Sequence, residues 1–332
     1  TNWNKEWVIM LKPFGDHFEH VNAYADDLPG WRMRSGDQFY VADFNNDGRD
    51  DLCVYNGTNW GVPSFGMFRS TGTALRYVRR YDRFMGNWEM GKKEKFYVGD
   101  YNGDGREDFV ACDRNHWSQV HFRVFNSTGS SVYESQRFYG TIEAGTIRWP
   151  MRRRDQIHTL DFNGDGITDI ATFNGRDWSH VYLGLWRVDD SGKMKGVRLY
   201  DTDGATTATD VIGWWMARRD KFYVADVNGD GNDDLVAYNK DNWSTEYLGM
   251  LRSNGSNQLQ GSWQDDWIGS WNLGDSDSFK VADFRGSGGW DDLIVYNEGW
   301  LGLLRSYNNR FVQETLYRKW IHNHRYHQWG WW

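Results

Sequence analysis

DFNNDGRDD, Asp43 to Asp51, sets acids and amides around one glycine, and the pattern returns three more times, from Asp100, Asp161 and Asp226. A degenerate fifth copy, DFRGSGGWDD, starts at Asp283. The starts lie 57, 61, 65 and 57 residues apart. A period of this size marks a propeller or another repeat array.

With the first Asp of each loop as zero, other residues fall into register. Twelve before stand Trp31, Trp88, Trp149, Trp214 and Trp271; seventeen after stand Trp60, Trp117, Trp178, Trp243 and Trp300. Six before are Asp37, Glu94, Asp155, Asp220 and Asp277, and thirteen after are Asn56, Asp113, Asn174 and Asn239. Between these marks the sequence alternates as short strands do. FYVADF runs into the acid loop, DLCVYN leaves it, and SFGMFRS and ALRYVRRYD follow, separated by the turn segments NGTNW and STGT. Four strands per unit of about 60 residues is the arithmetic of a propeller blade.

The expected fold is therefore all-β: one β-propeller domain over 1–332, six blades of about four antiparallel strands. The repeat units run over about 37–93, 94–154, 155–219, 220–276 and 277–332, with a partial unit at 1–36 completing the ring. Lys12 falls where Arg69, Arg187 and Arg252 stand, so the N-terminal stretch reads as the third and fourth strands of a blade. Trp320 then takes the minus-twelve place, which lets the C-terminal stretch supply that blade's first strand. Closure of this kind leaves no free sheet edge.

The loops carry oxygen donors at positions 1, 3, 5 and 9, with a backbone carbonyl at position 7, the spacing of a calcium loop. The first set is Asp43, Asn45, Asp47, Arg49 and Asp51, and the second Asp100, Asn102, Asp104, Arg106 and Asp108. The third is Asp161, Asn163, Asp165, Ile167 and Asp169, and the fourth Asp226, Asn228, Asp230, Asn232 and Asp234. Hard oxygen ligands in a flexible loop favour Ca²⁺ over zinc or magnesium. In the fifth copy Arg285 replaces the Asn, Ser287 replaces an Asp and one residue is inserted. It is expected to be metal-free, with Arg285 pairing with Asp283 or Asp292 in place of an ion.

No helical pattern flanks these loops, which excludes an EF-hand. They resemble the calcium hairpins of FG-GAP/VCBS repeats, as in integrin-alpha-like propellers and in fungal and bacterial propeller lectins. The resemblance covers nearly the whole chain. It implies about four structural Ca²⁺ ions and a secreted, extracellular protein, and it says much less about function.

The chain has 332 residues and a formal net charge of −8, and no block of Lys and Arg offers a nucleic-acid or anionic-membrane footprint. Four Ca²⁺ would offset that charge almost completely. No apolar run is long enough to insert in a membrane. Cys53 and Cys112 occupy unrelated repeat positions and read as buried thiols.

The 21 Trp, 18 Tyr and 18 Phe exceed what a core of this size requires. Strand direction puts both repeated tryptophans on the face opposite the calcium loops, beside the acid at minus six and the Asn or Asp at plus thirteen. Flat rings beside carboxylates and amides suit glycans, with the rings on the C–H face and the polar groups on hydroxyls. Packing of the same rings as wedges between blades is the competing reading. Repeated pockets would act multivalently.

Catalytic signals are weak. The nine histidines share no offset, and no GxSxG, HExxH or phosphate loop occurs. His322, His324 and His327 in the tail read as part of a closing strand. The expectation is a non-catalytic, lectin-like carbohydrate-binding protein. A polysaccharide-active enzyme such as a lyase, or its propeller domain, is the alternative, and an integrin-like adhesion module the third.

Overall fold

The computed structural model describes residues 5–14, 17–57, 61–113, 121–144, 147–152, 154–174, 181–189, 192–201, 214, 216–217, 219–239, 246–265, 267–284, 286, 289–297 and 299–318. All regular structure among them is β, and no helix is long and apolar enough to cross a membrane.

Among the described residues, five four-stranded antiparallel meanders follow one another. Sheet I comprises Gln38–Ala42, Asp51–Asn56, Ser64–Ser70 and Leu75–Asp82. Sheet II comprises Lys95–Gly99, Asp108–Asp113, His121–Ser127 and Val132–Tyr139. Sheet III comprises Gln156–Leu160, Asp169–Phe173, Tyr182–Val188 and Met194–Asp201. Sheet IV comprises Lys221–Ala225, Asp234–Tyr238, Tyr247–Ser253 and Leu259–Asp265. Sheet V comprises Ser278–Ala282, Asp292–Asn297, Trp300–Tyr307 and Arg310–Arg318. The four strands expected from sequence in the first unit all form, and the acid loop joins strands one and two of every sheet.

Ahead of sheet I, Trp7–Phe14 and His17–Ala25 pair as a hairpin. Among the described residues, four smaller hairpins that the sequence reading did not separate, such as Asp27–Leu28 with Trp31–Arg32, precede sheets I, II, III and V. Gly30, Gly86 and Gly269 turn three of them at positive φ, a conformation that favours glycine.

The cores lie between sheets rather than within them. One joins Phe65 and Met67 of sheet I to Phe96 and Phe109 of sheet II, and another joins Phe173 and Leu183 of sheet III to Phe222 and Leu235 of sheet IV. The second residue of a first strand is the knob. Phe96 packs on Tyr40, Tyr55 and Phe65, and Phe279 packs on Tyr223 and Tyr238. Each junction is then sealed by one recurring bond. The amide of Val132 donates to Tyr81 Oη at 2.8 Å, that of Met194 to Gln136 Oε1 at 3.0 Å, and that of Leu259 to Tyr200 Oη at 2.7 Å. Phe311 N donates likewise to Gln264. Leu75 N donates to Tyr24 Oη at 2.6 Å, so the N-terminal hairpin stands to sheet I as sheet I stands to sheet II. Trp320 and the C-terminal stretch, with His322, His324 and His327, lie outside the described residues.

Cys53 and Cys112 are both buried, on sheets I and II.

Candidate functional site

The two repeated features occupy opposite ends of each sheet. At one end, the acid loops fold around their first Asp. Gly48 N donates to Asp43 Oδ2 at 2.8 Å, Gly105 N to Asp100 Oδ2 at 2.7 Å, Gly166 N to Asp161 Oδ2 at 2.8 Å and Gly231 N to Asp226 Oδ2 at 3.0 Å. The position-5 carboxylates accept from the position-7 amides: Arg49 to Asp47, Arg106 to Asp104, Ile167 to Asp165 and Asn232 to Asp230. The last Asp of each loop starts the second strand and is buried. Asp51, Asp108 and Asp234 accept there from the amides of Ser70, Ser127 and Ser253.

Burial pushes these carboxyls up, Asp108 to about 7 and Asp169 and Asp234 to about 8, and Asp51 moves the same way. Desolvation disfavours the anion, and the neighbouring loop acids add repulsion. Among the described residues no three His, Cys, Asp or Glu side chains converge as a ready-made metal centre. A set for Ca²⁺ would also draw on Asn side chains and backbone carbonyls. The third loop fits that need best, because Asn163 Oδ1 is a buried acceptor without a hydrogen-bond donor among the described residues, and the buried Asp169 has only the Phe162 amide and the Arg187 charge to offset Asp161 and Asp165 beside it. A hard cation there would supply the contact that Asn163 lacks and counter-charge beyond that of Arg187. In the fifth copy Asp292 accepts from Ser306 N at 3.1 Å, while Arg285 and Ser287 lie outside the described residues.

At the other end the minus-twelve tryptophans are buried, and their reading as ligand-facing rings is corrected. Trp31, Trp88, Trp149, Trp214 and Trp271 are at most 6% exposed. In three units the acid six before zero holds the ring, whereas Trp149 Nε1 has no hydrogen-bond partner among the described residues. Trp31 Nε1 donates to Asp37 at 3.0 Å, Trp214 Nε1 to Asp220 at 2.9 Å and Trp271 Nε1 to Asp277 at 2.8 Å. In all five units that acid also accepts an amide three residues earlier, from Arg34, Gly91, Arg152, Ala217 and Gly274. Glu94, Asp155, Asp220 and Asp277 are accordingly buried.

Asn56, Asn174 and Asn239 are buried too and complete the clasp instead of facing solvent. Asn56 donates to Asp37, while Asn174 and Asn239 accept from the amides of Tyr182 and Tyr247. Each ring lies on the third strand, where a Cβ added to Gly66, Gly249 or Gly302 would stand 2.8, 2.5 or 2.8 Å from the indole. Sheet II has Arg123 at that place, with its guanidinium 5.7 Å over Trp88 and 2.8 Å from Glu134. Packing is thus the role of this set.

Trp60, Trp117, Trp178 and Trp243 lie outside the described residues, as does the Asp113 side chain. Trp300, on sheet V, is half-buried against the core shared with sheet IV. Two of the most exposed aromatics sit elsewhere, off the offsets used above. Trp263 is 56% and Trp267 59% exposed, and Tyr247 meets Trp263 edge-on with centroids 5.4 Å apart. Phe84, at Trp267's place in the hairpin before sheet II, is also exposed, under the Arg83 guanidinium. Sequence reasoning missed Trp263 and Trp267 because nothing repeats with Trp263, and only Phe84 repeats with Trp267.

Residues 100–172, from the second acid loop into sheet III, match the family model described as an FG-GAP-like repeat, so an FG-GAP-like repeat is present here. Together with the repeating antiparallel sheets, this is consistent with an FG-GAP repeat, β-propeller-like protein. Among solved structures, the chain is similar to rhamnogalacturonan lyase PL11 of Bacillus licheniformis, at 14% identity and a TM-score of 0.47. That likeness covers 94% of this chain and 65% of the lyase. A fainter likeness, at 11% identity and a TM-score of 0.18, links it to the V. cholerae biofilm matrix protein Bap1, covering 90% of this chain and 64% of that one. The chain therefore spans about two thirds of the length of either structure. No curated protein sequence matches it.

Proposed function

We propose that this chain is a calcium-stabilised, non-catalytic carbohydrate-binding protein of the extracellular space. Its scaffold is a six-bladed propeller whose irregular sixth blade is shared by N- and C-terminal strands. The Tyr24 bond, which repeats the Tyr81 and Tyr200 bonds, supports the ring. So do Phe39 and Val41, 45% and 58% exposed on sheet I, since the knobs equivalent to Phe39, Phe96, Phe222 and Phe279, are at most 4% exposed. A further unit ahead of sheet I would cover them. The Asn163 and Asp169 acceptors support the cation.

The observation that carries the carbohydrate reading is the exposed Trp263, with Tyr247 against it and Trp267 four residues on. A tryptophan left this open forgoes roughly half of the ~3 kcal/mol that burying a large apolar side chain contributes. Its flat face offers a platform for a sugar ring, and the exposed Asp265 supplies an acceptor for hydroxyls. Trp60, Trp117, Trp178 and Trp243 extend the proposal to further junctions, where weak sites would add by avidity.

A glycan array with and without EDTA, followed by calorimetry on the best hit, tests this reading. The double variant Trp263→Ala, Trp267→Ala is expected to bind at least about tenfold more weakly, one stacking contact's worth, with an unchanged melting temperature. Absence of any glycan hit would overturn the carbohydrate reading, and bond cleavage during incubation would overturn the non-catalytic one.

A further inference from the structure

The acid loops are not independent of one another. Glu107, the residue before the last ligand of the second loop, accepts from Asp43 N at 2.6 Å, and its own amide donates to Asp43 O at 3.1 Å. Both bonds cross from sheet II to sheet I and grip the first ligand of the preceding loop. The same reciprocal pair recurs twice. Asp233 accepts from Asp161 N at 2.7 Å and donates to Asp161 O at 2.8 Å; Asp291 accepts from Asp226 N at 3.0 Å and donates to Asp226 O at 2.7 Å. At the remaining junction Thr168 has no carboxylate, and only its amide donates, to Asp100 O at 2.6 Å.

Two further contacts tighten the same seam. Ser127 Oγ donates to Phe44 O at 2.6 Å, holding the residue next to Asp43, and Ser253 Oγ does so to Phe162 O. Neighbouring loops also touch through glycine, since a Cβ on Gly105 would stand 2.5 Å from Asn46 Nδ2 and one on Gly229 would stand 2.0 Å from Trp290 Nε1. The degenerate fifth loop keeps Asp291 and places Trp290 over the fourth loop although two of its ligand positions are lost. Holding a neighbour accounts for what it retains.

We propose that Glu107, Asp233 and Asp291 are positioning residues, each fixing the first cation ligand of the preceding sheet's loop, so that calcium binding is coupled between the first and second loops through Glu107 and between the third and fourth through Asp233. The cation part rests on the calcium reading above. Glu107 adjoins the ligand Asp108, so a cation that fixes Asp108 fixes the group that orients Asp43. The coupling is directional in structure, each loop holding the one before it, and reciprocal in affinity, as linkage requires.

Hydrogen-exchange mass spectrometry across a calcium series reads each loop separately in the wild type, Glu107→Ala and Glu107→Gln. In Glu107→Ala the calcium midpoint for protection of residues 43–51 is expected to rise roughly three- to tenfold, one hydrogen bond's worth, while residues 226–234, two junctions away, keep theirs. Glu107→Gln retains an acceptor and is expected to restore the midpoint, which a general loss of stability would not allow. An unchanged 43–51 midpoint, or an equal shift at every loop, would overturn the proposal. If calcium alters no loop even in the wild type, the calcium reading fails, and the coupling with it. The positioning role is then decided by calcium-free protection of 43–51: selective loss in Glu107→Ala supports it, and no loss overturns it.

Discussion

Trp271 Nε1 donates to Asp277 Oδ2 at 2.8 Å with both residues buried, so the carboxylate that looked like a sugar ligand holds a packing ring. Asp277 also accepts from Gly274 N and from Asn297 Nδ2. Replacing it with Ala strands three donors. Asp277→Ala is expected to cost about 2–4 kcal/mol in urea unfolding, more than one unmade bond because several are lost, and Asp277→Asn less.

Gly249 admits the Trp214 ring where a Cβ would stand 2.5 Å from it. Gly249→Ala is expected to destabilise by about 1–3 kcal/mol through overpacking. The clash disappears once Trp214 is truncated, so the double variant should lose less than the sum of the two single variants. A double-mutant cycle in denaturant reads this directly.

His158 lies on the first strand of sheet III against Phe222, and burial pulls its pKa down to about 4 from 6.5. The unfolded chain therefore takes up this proton first. No penalty exists above about pH 6.5; stability falls as pH drops from there toward 4 and then levels, with a total near 3 kcal/mol. His158→Phe is expected to flatten that part of the stability–pH curve. Equal pH dependence in the two proteins would remove His158 as the cause.

Removal of calcium is expected to lower the melting temperature, because a ligand bound only by the folded chain stabilises it by about 2.7 kcal/mol at a hundredfold excess over its Kd. Asp169→Asn should reduce the shift caused by EDTA. Scanning calorimetry with and without EDTA checks both, and a wild-type melting temperature indifferent to EDTA would refute the cation reading.

The strands were legible because alternation and turn residues agree, and Ser64–Ser70 and Asp51–Asn56 form where the pattern put them. The spacing of Trp31, Asp37 and Asn56 was equally legible, but not its meaning, since a repeated tryptophan looks alike whether it faces water or wedges a core. The sign was elsewhere in the sequence: Gly66, Gly249 and Gly302 recur in the middle of a strand, where only a missing side chain makes room for an indole. Glu107, Asp233 and Asp291 were hidden as first members of acidic doublets, because their partners lie in another repeat and no local spacing reveals them.

Cores that form between sheets put the sequence repeat and the folding unit out of phase. Phe96 belongs by position to the second repeat and by contact to the first. A single excised repeat would carry two half-cores and complete neither, so the smallest autonomous fragment should be a pair of neighbours. Gain or loss of one repeat would likewise succeed only where its two faces match the neighbours on both sides, which makes each junction, rather than each repeat, the unit on which substitutions must agree.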